Sequence, residues 1–318
     1  MENEFSFIKN KLQPLTFGRK EARGLSDDCA LFPNIADLVI SVDSSIEGIH
    51  VPIGTDIAIQ ARRSILRALS DLATFGSIPF CVFTAINIPN TFNSEDFDKI
   101  ADGYRKALVE YDIFLAGGDI TSYSGLPIFT ITVLGDKGSN KLGRKGAKKG
   151  DLIVVSGEIG DSFIGLQLIQ KNNRGVNFDE DKTLINKFLI PNPRIDIGKI
   201  VINFATSIID ISDGLIADLD HICKNSNVGA EIYLKEIPFS KGAINYIDAK
   251  IFNYMDLITG GDDYELLYTI DPKDINMIDE NSYIIGKIIE GDSVKLYSVD
   301  NNLINIDEVV MGYKHFFN

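Results

Sequence analysis

Aspartates that stand beside glycine or serine are the residues of this sequence best suited to chemistry. They occur in four short segments: SDD at 26–28, GGD at 117–119, SDG at 212–214 and TGGDDYELL at 259–267. Glycine lets a backbone turn sharply or lets a ligand approach closely, and carboxylate oxygens are ligands that Mg²⁺ prefers. Because the chain already carries a formal net charge of -14, this crowding of acids indicates that cations bind among them.

Each acidic segment, taken alone, has an ordinary structural explanation. Gly and Asp are common turn residues. Ser212 is a good helix N-cap with Asp213 in the first turn, and Asp71 can form a surface ion pair with Arg67. These explanations serve less well for five aspartates that all fall at predicted ends of strands or helices. Several carboxylates in such places are typical of magnesium–nucleotide chemistry.

The expected ligand is therefore a polyphosphate held through cations. Two unit charges 4 Å apart interact by roughly 4 kcal/mol at an effective dielectric constant near 20, so acids that face a polyphosphate need more than one Mg²⁺. The motifs GxxxxGK[ST], GxGxxG, HRD and DFG are absent, and three scattered histidines give no support for a Ser-His-Asp or Cys-His mechanism. A basic stretch with Arg144, Lys145, Lys148 and Lys149 is either a solvated loop or a clamp on the polyphosphate.

The overall composition narrows the class of protein. A length of 318 residues favours two domains, and the acidity argues against nonspecific binding of nucleic acid. The N-terminus does not have the pattern of a signal peptide, no apolar run reaches membrane-spanning length, and Cys29, Cys81 and Cys223 fit neither a disulfide framework nor a zinc site. We therefore expect a cytoplasmic protein without a membrane segment.

Hydrophobic periodicity predicts a mixed α/β fold. A strand at 37–45 ends near Asp43, and a helix capped by Thr55 covers most of 55–79. A second helix spans 94–111, and the next strand ends in a tight turn at Asp119. Further strands, and two strand–turn–helix units, are predicted at 127–135, 151–171, 207–226, 230–238, 265–270 and 283–289. The Gly- and Lys-rich segment from Asp136 to Asp151 marks a boundary between domains 1–138 and 139–318.

Ten segments resemble, in one order through nearly the whole chain, the thiamine-monophosphate kinase family, which belongs to the superfamily of aminoimidazole ribonucleotide synthetase. No single segment is specific, but the ordered set is. The segments are SDDCALF (26–32), SVDSSIEGIHVP (41–52), LSDLATFGSIP (69–79), GGDITS (117–122), GRKGAKKGD (143–151), VSGEIGDSFIGL (155–166), PNPRI (191–195), DISDGLIADLDHI (210–222), TGGDDYELL (259–267) and GYKHF (312–316).

The resemblance implies transfer of the γ-phosphoryl group of ATP to thiamine monophosphate, which gives thiamine diphosphate and ADP, the last step of thiamine diphosphate biosynthesis. It implies an N-terminal α/β domain, 1–138, that binds ATP and Mg²⁺ and forms a barrel-like homodimer core. A C-terminal layered α/β domain, 139–318, completes one acidic site. The acceptor is itself a phosphate, so direct in-line transfer needs no general base; a phospho-enzyme is the alternative route.

The resemblance also assigns residues to roles. Metal ligands fall on Asp28, Ser41, Val42 (through its backbone), Asp43, Asp71, Asp119, Asp210 and Asp213. ATP contacts fall on Tyr111, Gly118, Asp119, Arg144 and Ser212. Substrate contacts fall on His50, Asp262 and Tyr313. The catalytic set is Asp119, Arg144 and Asp210, several Mg²⁺ ions are implied, and a need for K⁺ stays open.

Three positions depart from the family pattern. Asp262 stands where the family usually has Glu, so this carboxylate is one methylene shorter; Val42 replaces a common Thr, and Ser26 replaces a common Gly. Two other functions remain open from the sequence. One is another ATP-using enzyme of the superfamily that acts on an amide or formyl group, and the other is a non-catalytic sensor of Mg-nucleotide or thiamine diphosphate.

Overall fold

The computed structural model describes residues 8–25, 38–136, 143–172 and 174–306. Contacts between Cα atoms divide the chain into two compact units. The N-terminal unit comprises Met1–Leu72 and Ser77–Gly138, and the C-terminal unit comprises Ala73–Gly76 and Ser139–Asn318. None of the helices within the described ranges combines the length and the apolar character needed to cross a membrane.

The N-terminal unit contains a four-stranded sheet and two long helices. Its strands are β1 (Leu38–Ile46), β2 (Ile78–Pro89), β3 (Phe114–Tyr123) and β4 (Ile128–Asp136), and its helices are α1 (Ile57–Ala73) and α2 (Ser94–Glu110). The strand order is β1-β4-β2-β3, with β2 and β3 parallel and the other two pairs antiparallel. Strands β1 and β3 are therefore the two edges of this sheet as far as the described residues extend.

Both helices pack on one face of this sheet. The Tyr104 hydroxyl of α2 is hydrogen-bonded to Thr84 of β2 at 2.6 Å, and a side chain at Gly103 would lie 2.1 Å from the Ala58 carbonyl of α1. On the opposite face, alternate residues of β1 expose apolar side chains, with Ile40 and Val42 exposed by 55% and 60%. This open apolar face carries Leu38, Ile40 and Val42.

The C-terminal unit is built on a seven-stranded mixed sheet. Its strand order is β11-β10-β7-β9-β5-β8-β6. The strands are β5 (Leu152–Val155), β6 (Ala205–Asp210), β7 (Gly229–Tyr233), β8 (Leu266–Ile270), β9 (Tyr283–Ile289), β10 (Val294–Tyr297) and β11 (Leu303–Ile304). The helices are α3 (Asp161–Ile169), α4 (Asp181–Leu189), α5 (Ile195–Val201), α6 (Leu215–Ser226), α7 (Lys241–Asp248) and α8 (Tyr254–Thr259).

One hydrophobic core lies between this sheet and α6. Leu215, Leu219, Ile222 and Cys223 are fully buried and pack against apolar residues of the strands, as their helical spacing predicts. The mixed α/β fold expected from the sequence is confirmed. Neither sheet closes into a barrel among the described strands.

Several local predictions are wrong. Strand β1 continues through Asp43 to Ile46, and β3 continues through Asp119 to Tyr123, so both aspartates lie within strands rather than at their ends. Strand β2 was not predicted. Helix α1 begins at Ile57, and the side chain that accepts its first N–H groups, from Ala58 and Ile59, is Asp56. The predicted cap, Thr55, instead donates its hydroxyl to the Pro52 carbonyl.

Candidate active site

Strand β1 and helix α1 hold three of the predicted metal-site residues together. The Ser41 hydroxyl donates to the Asp71 carboxylate. Arg67, one turn before Asp71, reaches β1, where its Nη2 lies 3.3 Å from Asp43 Oδ2 and its Nη1 donates to the Ser44 carbonyl at 3.3 Å. The Arg67 side chain is only 11% exposed. Val42 points to the open apolar face, so only its backbone is available as a ligand.

Asp119 lies elsewhere in the same sheet. It is exposed on β3, in register with Ala85 of β2, and the Thr121 hydroxyl donates to it at 3.5 Å. Strands β1 and β3 are separated by three inter-strand steps, which amount to about 14 Å. Within one chain the sheet therefore does not bring Asp119 beside Asp43.

The Gly117–Gly118 pair serves strand pairing rather than a turn. A Cβ at Gly118 would lie 2.1 Å from the Thr84 carbonyl oxygen of β2, whereas one at Gly117 would meet only the Phe83 ring at 3.1 Å. Gly118 therefore allows close approach of two backbones. Tyr111, the other predicted nucleotide contact of this unit, is the C-cap of α2, and its N–H donates to Ala107.

The loop after β1 fixes the orientation of His50. The His50 Nδ1 atom accepts the Ile46 N–H at 3.0 Å, so in the neutral ring the proton is on Nε2, which is then a donor. The nearly buried Glu47 carboxylate accepts the Gly54 N–H at 2.6 Å and closes the same loop. His50 is thus held by a hydrogen-bonded turn.

In the C-terminal unit, two predicted segments are joined through their backbones. Asp210 ends β6 as predicted and is almost buried. The next residues pair with the TGGDDYELL segment: Asp262 N–H donates to Ser212 at 2.9 Å, Tyr264 N–H donates to Ile211 at 2.8 Å, and Ile211 N–H donates to Glu265 at 2.8 Å. The structure therefore brings Asp210, Ser212 and Asp213 together with Asp262.

This junction requires unusual backbone conformations. Asp262 and Tyr264 have φ values of 69° and 53°, a region in which non-glycine residues are uncommon. A Cβ at Gly261 would lie 2.2 Å from the Ser212 carbonyl oxygen. The Tyr264 hydroxyl donates to the Asp262 carboxylate at 2.7 Å, which fixes the shorter side chain that stands in place of the family's Glu.

The loop from 210 to 214 is not the N-cap that the sequence suggested. Helix α6 begins at Leu215 after Gly214, and no side chain caps it. Instead, Asp218 Oδ2 accepts the N–H groups of Ser212 at 3.0 Å and Asp213 at 3.1 Å. Burial, together with the nearby Asp210 and Asp213 carboxylates, raises the pKa of Asp218 to about 8. Asp213, Asp218 and His221 offer ligand atoms within 4.8 Å of one another.

Other acids of the opening motif are structural, and sequence reasoning missed them. Glu265 accepts hydrogen bonds from Arg194 Nε at 2.7 Å and from the Ser156 hydroxyl at 2.5 Å. Asp263 accepts the Gly160 N–H at 3.0 Å, at the start of α3. Desolvation raises the pKa of Asp263 well above its ordinary value. In the sequence, one sign of these contacts was that TGGDDYELL, PNPRI and VSGEIGDS all belong to the ordered set of family segments.

Arg144 lies on an exposed loop of the C-terminal unit. The Ser226 hydroxyl holds this loop by accepting the Gly146 and Ala147 N–H groups and by donating to the Arg144 carbonyl at 3.3 Å. Within the described residues, the Arg144 side chain has no ion-pair partner. Asp28 and Tyr313, predicted as a metal ligand and a substrate contact, lie outside the described residues.

Family models match both halves of the chain. The model for the N-terminal domain of AIR synthase related proteins matches residues 26–136, and the model for their C-terminal domain matches residues 148–299. The chain thus has both domain types of the AIR synthase-related class.

Curated relatives define the family more narrowly. A thiamine-monophosphate kinase of Caulobacter vibrioides is 33% identical over 92% of this chain and 86% of the relative, and one of Buchnera aphidicola subsp. Schizaphis graminum is 38% identical over 91% and 88%. The chain belongs to the thiamine-monophosphate kinase family, which is a family of kinases.

Solved structures agree. Thiamine-monophosphate kinase from Stenotrophomonas maltophilia K279a matches with a TM-score of 0.82 and 29% identity over 94% of this chain and 97% of that one. AaThiL complexed with AMPPCP and TMP matches with a TM-score of 0.78 and 28% identity over 88% and 87%.

Proposed function

We propose that this protein catalyses ATP-dependent phosphorylation of thiamine monophosphate to thiamine diphosphate, with release of ADP. The observation that carries the proposal is the backbone pairing of the 210–213 loop with Asp262 and Tyr264. In this family the first segment serves metal and nucleotide and the second serves the acceptor. A kinase needs both functions at one place, because in-line transfer depends on positioning.

The acidic side chains suit Mg²⁺. The N-terminal unit holds Ser41, Asp43 and Asp71 together. All three side chains offer oxygen ligand atoms, which a hard cation prefers. In the C-terminal unit, the carboxylate oxygens of Asp213 and Asp218 lie within 4.8 Å of each other. A cation bound between them would offset the repulsion of two negative charges at this distance. We assign the metal positions to Asp28, Ser41, Val42, Asp43, Asp71, Asp119, Asp210 and Asp213. Bound Mg²⁺ supplies neutralisation of polyphosphate charge; K⁺ has no assigned ligand.

The protein's own groups then orient the reactants. Arg144, exposed and without an ion-pair partner among the described residues, binds the polyphosphate as a planar multiple donor. Tyr111, Gly118 and Ser212 contact ATP. A new bond forms between the γ-phosphorus and an acceptor phosphate oxygen, and the bond from that phosphorus to the bridging oxygen of ADP breaks. The acceptor oxygen is already largely deprotonated near neutral pH, so no side chain has to remove a proton.

The acceptor's organic part is recognised by a separate group of residues. His50 donates through Nε2 because its Nδ1 is occupied by the Ile46 N–H. We assign the Asp262 carboxylate, held by Tyr264, to the positively charged ring system, and Tyr313 to the same end of the substrate as an aromatic contact. The shorter reach of Asp262 makes this end of the site the place where substrate preference departs from relatives with Glu.

We further propose a homodimer through the N-terminal units. The open apolar face groups three exposed apolar side chains, Leu38, Ile40 and Val42, whereas a single exposed apolar side chain would need no explanation. Such a group is expected for an association surface. Asp43 and Asp119 lie on opposite edges of one sheet. A second copy that continues the sheet can place its β3 edge beside β1, so that the two aspartates serve one site from different chains. This arrangement assigns residues 1–138 to ATP, Mg²⁺ and dimerisation and residues 139–318 to completion of the site.

Product analysis tests the proposed function. The parent protein, with Mg-ATP and thiamine monophosphate, is expected to form thiamine diphosphate and ADP in equal amounts, whereas Asp119→Asn should form almost none. Asp112→Asn is a matched control, because Asp112 is exposed in the preceding loop with a φ of 51° that Asn tolerates. Tight ligand binding without turnover would instead identify a sensor. Turnover only with an amide or formyl acceptor would identify another enzyme of the superfamily.

A further inference from the structure

Asp218 occupies a position that the reaction chemistry does not by itself explain. It lies in the first turn of α6 and is 2% exposed. A buried carboxylate is costly unless hydrogen bonds satisfy it, and its Oδ2 accepts two backbone N–H groups, from Ser212 and Asp213. Both donors precede the helix, which starts at Leu215, so this side chain holds the loop and does not cap the helix.

The loop that Asp218 holds is constrained from its other side as well. The carbonyl groups of Ile211 and Ser212 accept hydrogen bonds from Tyr264 and Asp262. Gly214 has a φ of 115°, and a Cβ there would lie 2.7 Å from the Thr259 carbonyl oxygen. The N–H groups of Ser212 and Asp213 thus face Asp218 of helix α6, whereas the carbonyl groups of Ile211 and Ser212 face the acceptor segment. Among the described side chains, Asp218 is the one that accepts the Ser212 and Asp213 N–H groups.

We propose that Asp218 is a positioning residue, which through its two hydrogen bonds aims the Asp213 carboxylate and the Ser212 hydroxyl at the bound metal and nucleotide. This inference rests on the proposed function for the identity of the ligand. Outer groups that orient a metal ligand typically change metal affinity about 10- to 100-fold when they are removed. The contribution of Asp218 is geometric, because what it supplies is one oxygen atom in a fixed place.

Three substitutions separate geometry from charge. Asp218→Asn keeps an acceptor oxygen in the same place but cannot ionise. Asp218→Glu keeps an ionisable carboxyl but moves the oxygen by one methylene, and Asp218→Ala removes both. Asp220→Asn is the matched control, because Asp220 lies on the same helix and its carboxylate pairs with Lys224 one turn later.

Two quantities are measured. The first is the affinity for Mn²⁺, a spectroscopic probe whose binding is followed by electron paramagnetic resonance in the presence of an ATP analogue. The second is the Mg²⁺ concentration that half-saturates turnover. Circular dichroism checks folding. We expect Asp220→Asn and Asp218→Asn to stay within about twofold of the parent. Asp218→Glu and Asp218→Ala should bind Mn²⁺ about 10- to 100-fold more weakly and should need correspondingly more Mg²⁺.

The pair of Asn and Glu variants decides the matter even if the Ala variant does not fold. Parental behaviour of Asp218→Glu with impaired Asp218→Asn would assign the effect to charge and overturn the proposal. Equal losses in both, or no loss in either, would also overturn it. Failure of the parent to phosphorylate thiamine monophosphate would reject the proposed function alone, since Mn²⁺ binding by the variants is measured without the acceptor.

Discussion

At the scale of single residues, the acids of this chain fall into two groups with different physical roles. Asp43, Asp71 and Asp213 are partly exposed and lie close to polar partners, as ligands require. Asp161, Asp218 and Glu265 are nearly buried; they accept hydrogen bonds from the Ser240 hydroxyl, from two backbone N–H groups and from Arg194, respectively. The sequence does not separate these groups, because each motif mixes both kinds; only burial and hydrogen bonding distinguish them.

The buried Asp161 gives a prediction on pH. It is 3% exposed, and burial raises its pKa, with Glu158 and Glu265 adding to the effect; the Ser240 hydrogen bond and Lys187 oppose it. A carboxyl whose folded-state pKa is raised contributes stability that is fully present below its unfolded pKa, about 3.9. That contribution is lost as the pH rises through the folded-state pKa.

Asp161→Asn should therefore raise the free energy of unfolding relative to the parent most at the alkaline end of the pH series, and the gain should shrink as the pH falls toward the unfolded pKa of about 3.9. Urea unfolding at a series of pH values measures this difference. Asp196→Asn, at an exposed site on α5 with a surface partner, should show no such trend. A gain that stays constant with pH would reject burial of the charged carboxyl as its cause.

At the scale of elements, the parallel pairing of β2 with β3 positions Asp119. Gly118 permits that pairing, because a Cβ would lie 2.1 Å from a backbone oxygen of β2. Gly118→Ala should therefore push the two strands apart, because a backbone carbonyl cannot move aside as a flexible side chain can. We expect a melting temperature lower by several degrees and a loss of turnover. Gly117→Ala meets only the Phe83 ring at 3.1 Å and should cost far less.

Thermal unfolding and turnover of the two alanine variants test this difference between adjacent positions. Equal losses in both variants would show that the glycines are needed for flexibility and not for strand contact. This comparison uses identical chemistry at neighbouring residues, so general effects of Gly→Ala on the unfolded chain cancel.

The same strand shows how far the sequence can predict the fold. Periodicity identified α1, α2 and most strands of the C-terminal unit, because their apolar residues recur at regular spacing. It missed β2, where Gly76 and Pro79 indicated only a helix end, and it ended β3 at Asp119 because two glycines resemble a turn. Whether glycine marks a turn or a close strand contact depends on the neighbouring strand, which local sequence does not contain. The ordered motifs assigned roles to the predicted site residues but none to Asp218 or Arg194, which bond the 212–213 backbone and Glu265.

At the scale of the whole molecule, the strand order separates residues that the chemistry needs together. Asp43 and Asp119 lie on opposite edges of the four-stranded sheet, about 14 Å apart by strand spacing. In the proposed homodimer each site takes one of these aspartates from each chain. A symmetric dimer then contains two such sites, and each site can be inactivated independently.

Mixing two inactive variants tests this arrangement. Asp43→Asn and Asp119→Asn should each be inactive alone, yet a mixed dimer has one site with both aspartates intact. After unfolding and joint refolding, random pairing should restore about a quarter of parental turnover. Refolding each variant with itself is the control, and no recovery in the mixture would mean that both aspartates act within one chain.

The backbone ladder between the 210–214 loop and the Asp262–Glu265 segment limits how this enzyme can acquire a new acceptor. Lengthening or shortening either segment would displace the other, so phosphate chemistry and acceptor choice cannot vary independently through loop length. Diversification must proceed by exchange of side chains on a fixed frame. Asp in place of Glu at position 262 is a change of that kind.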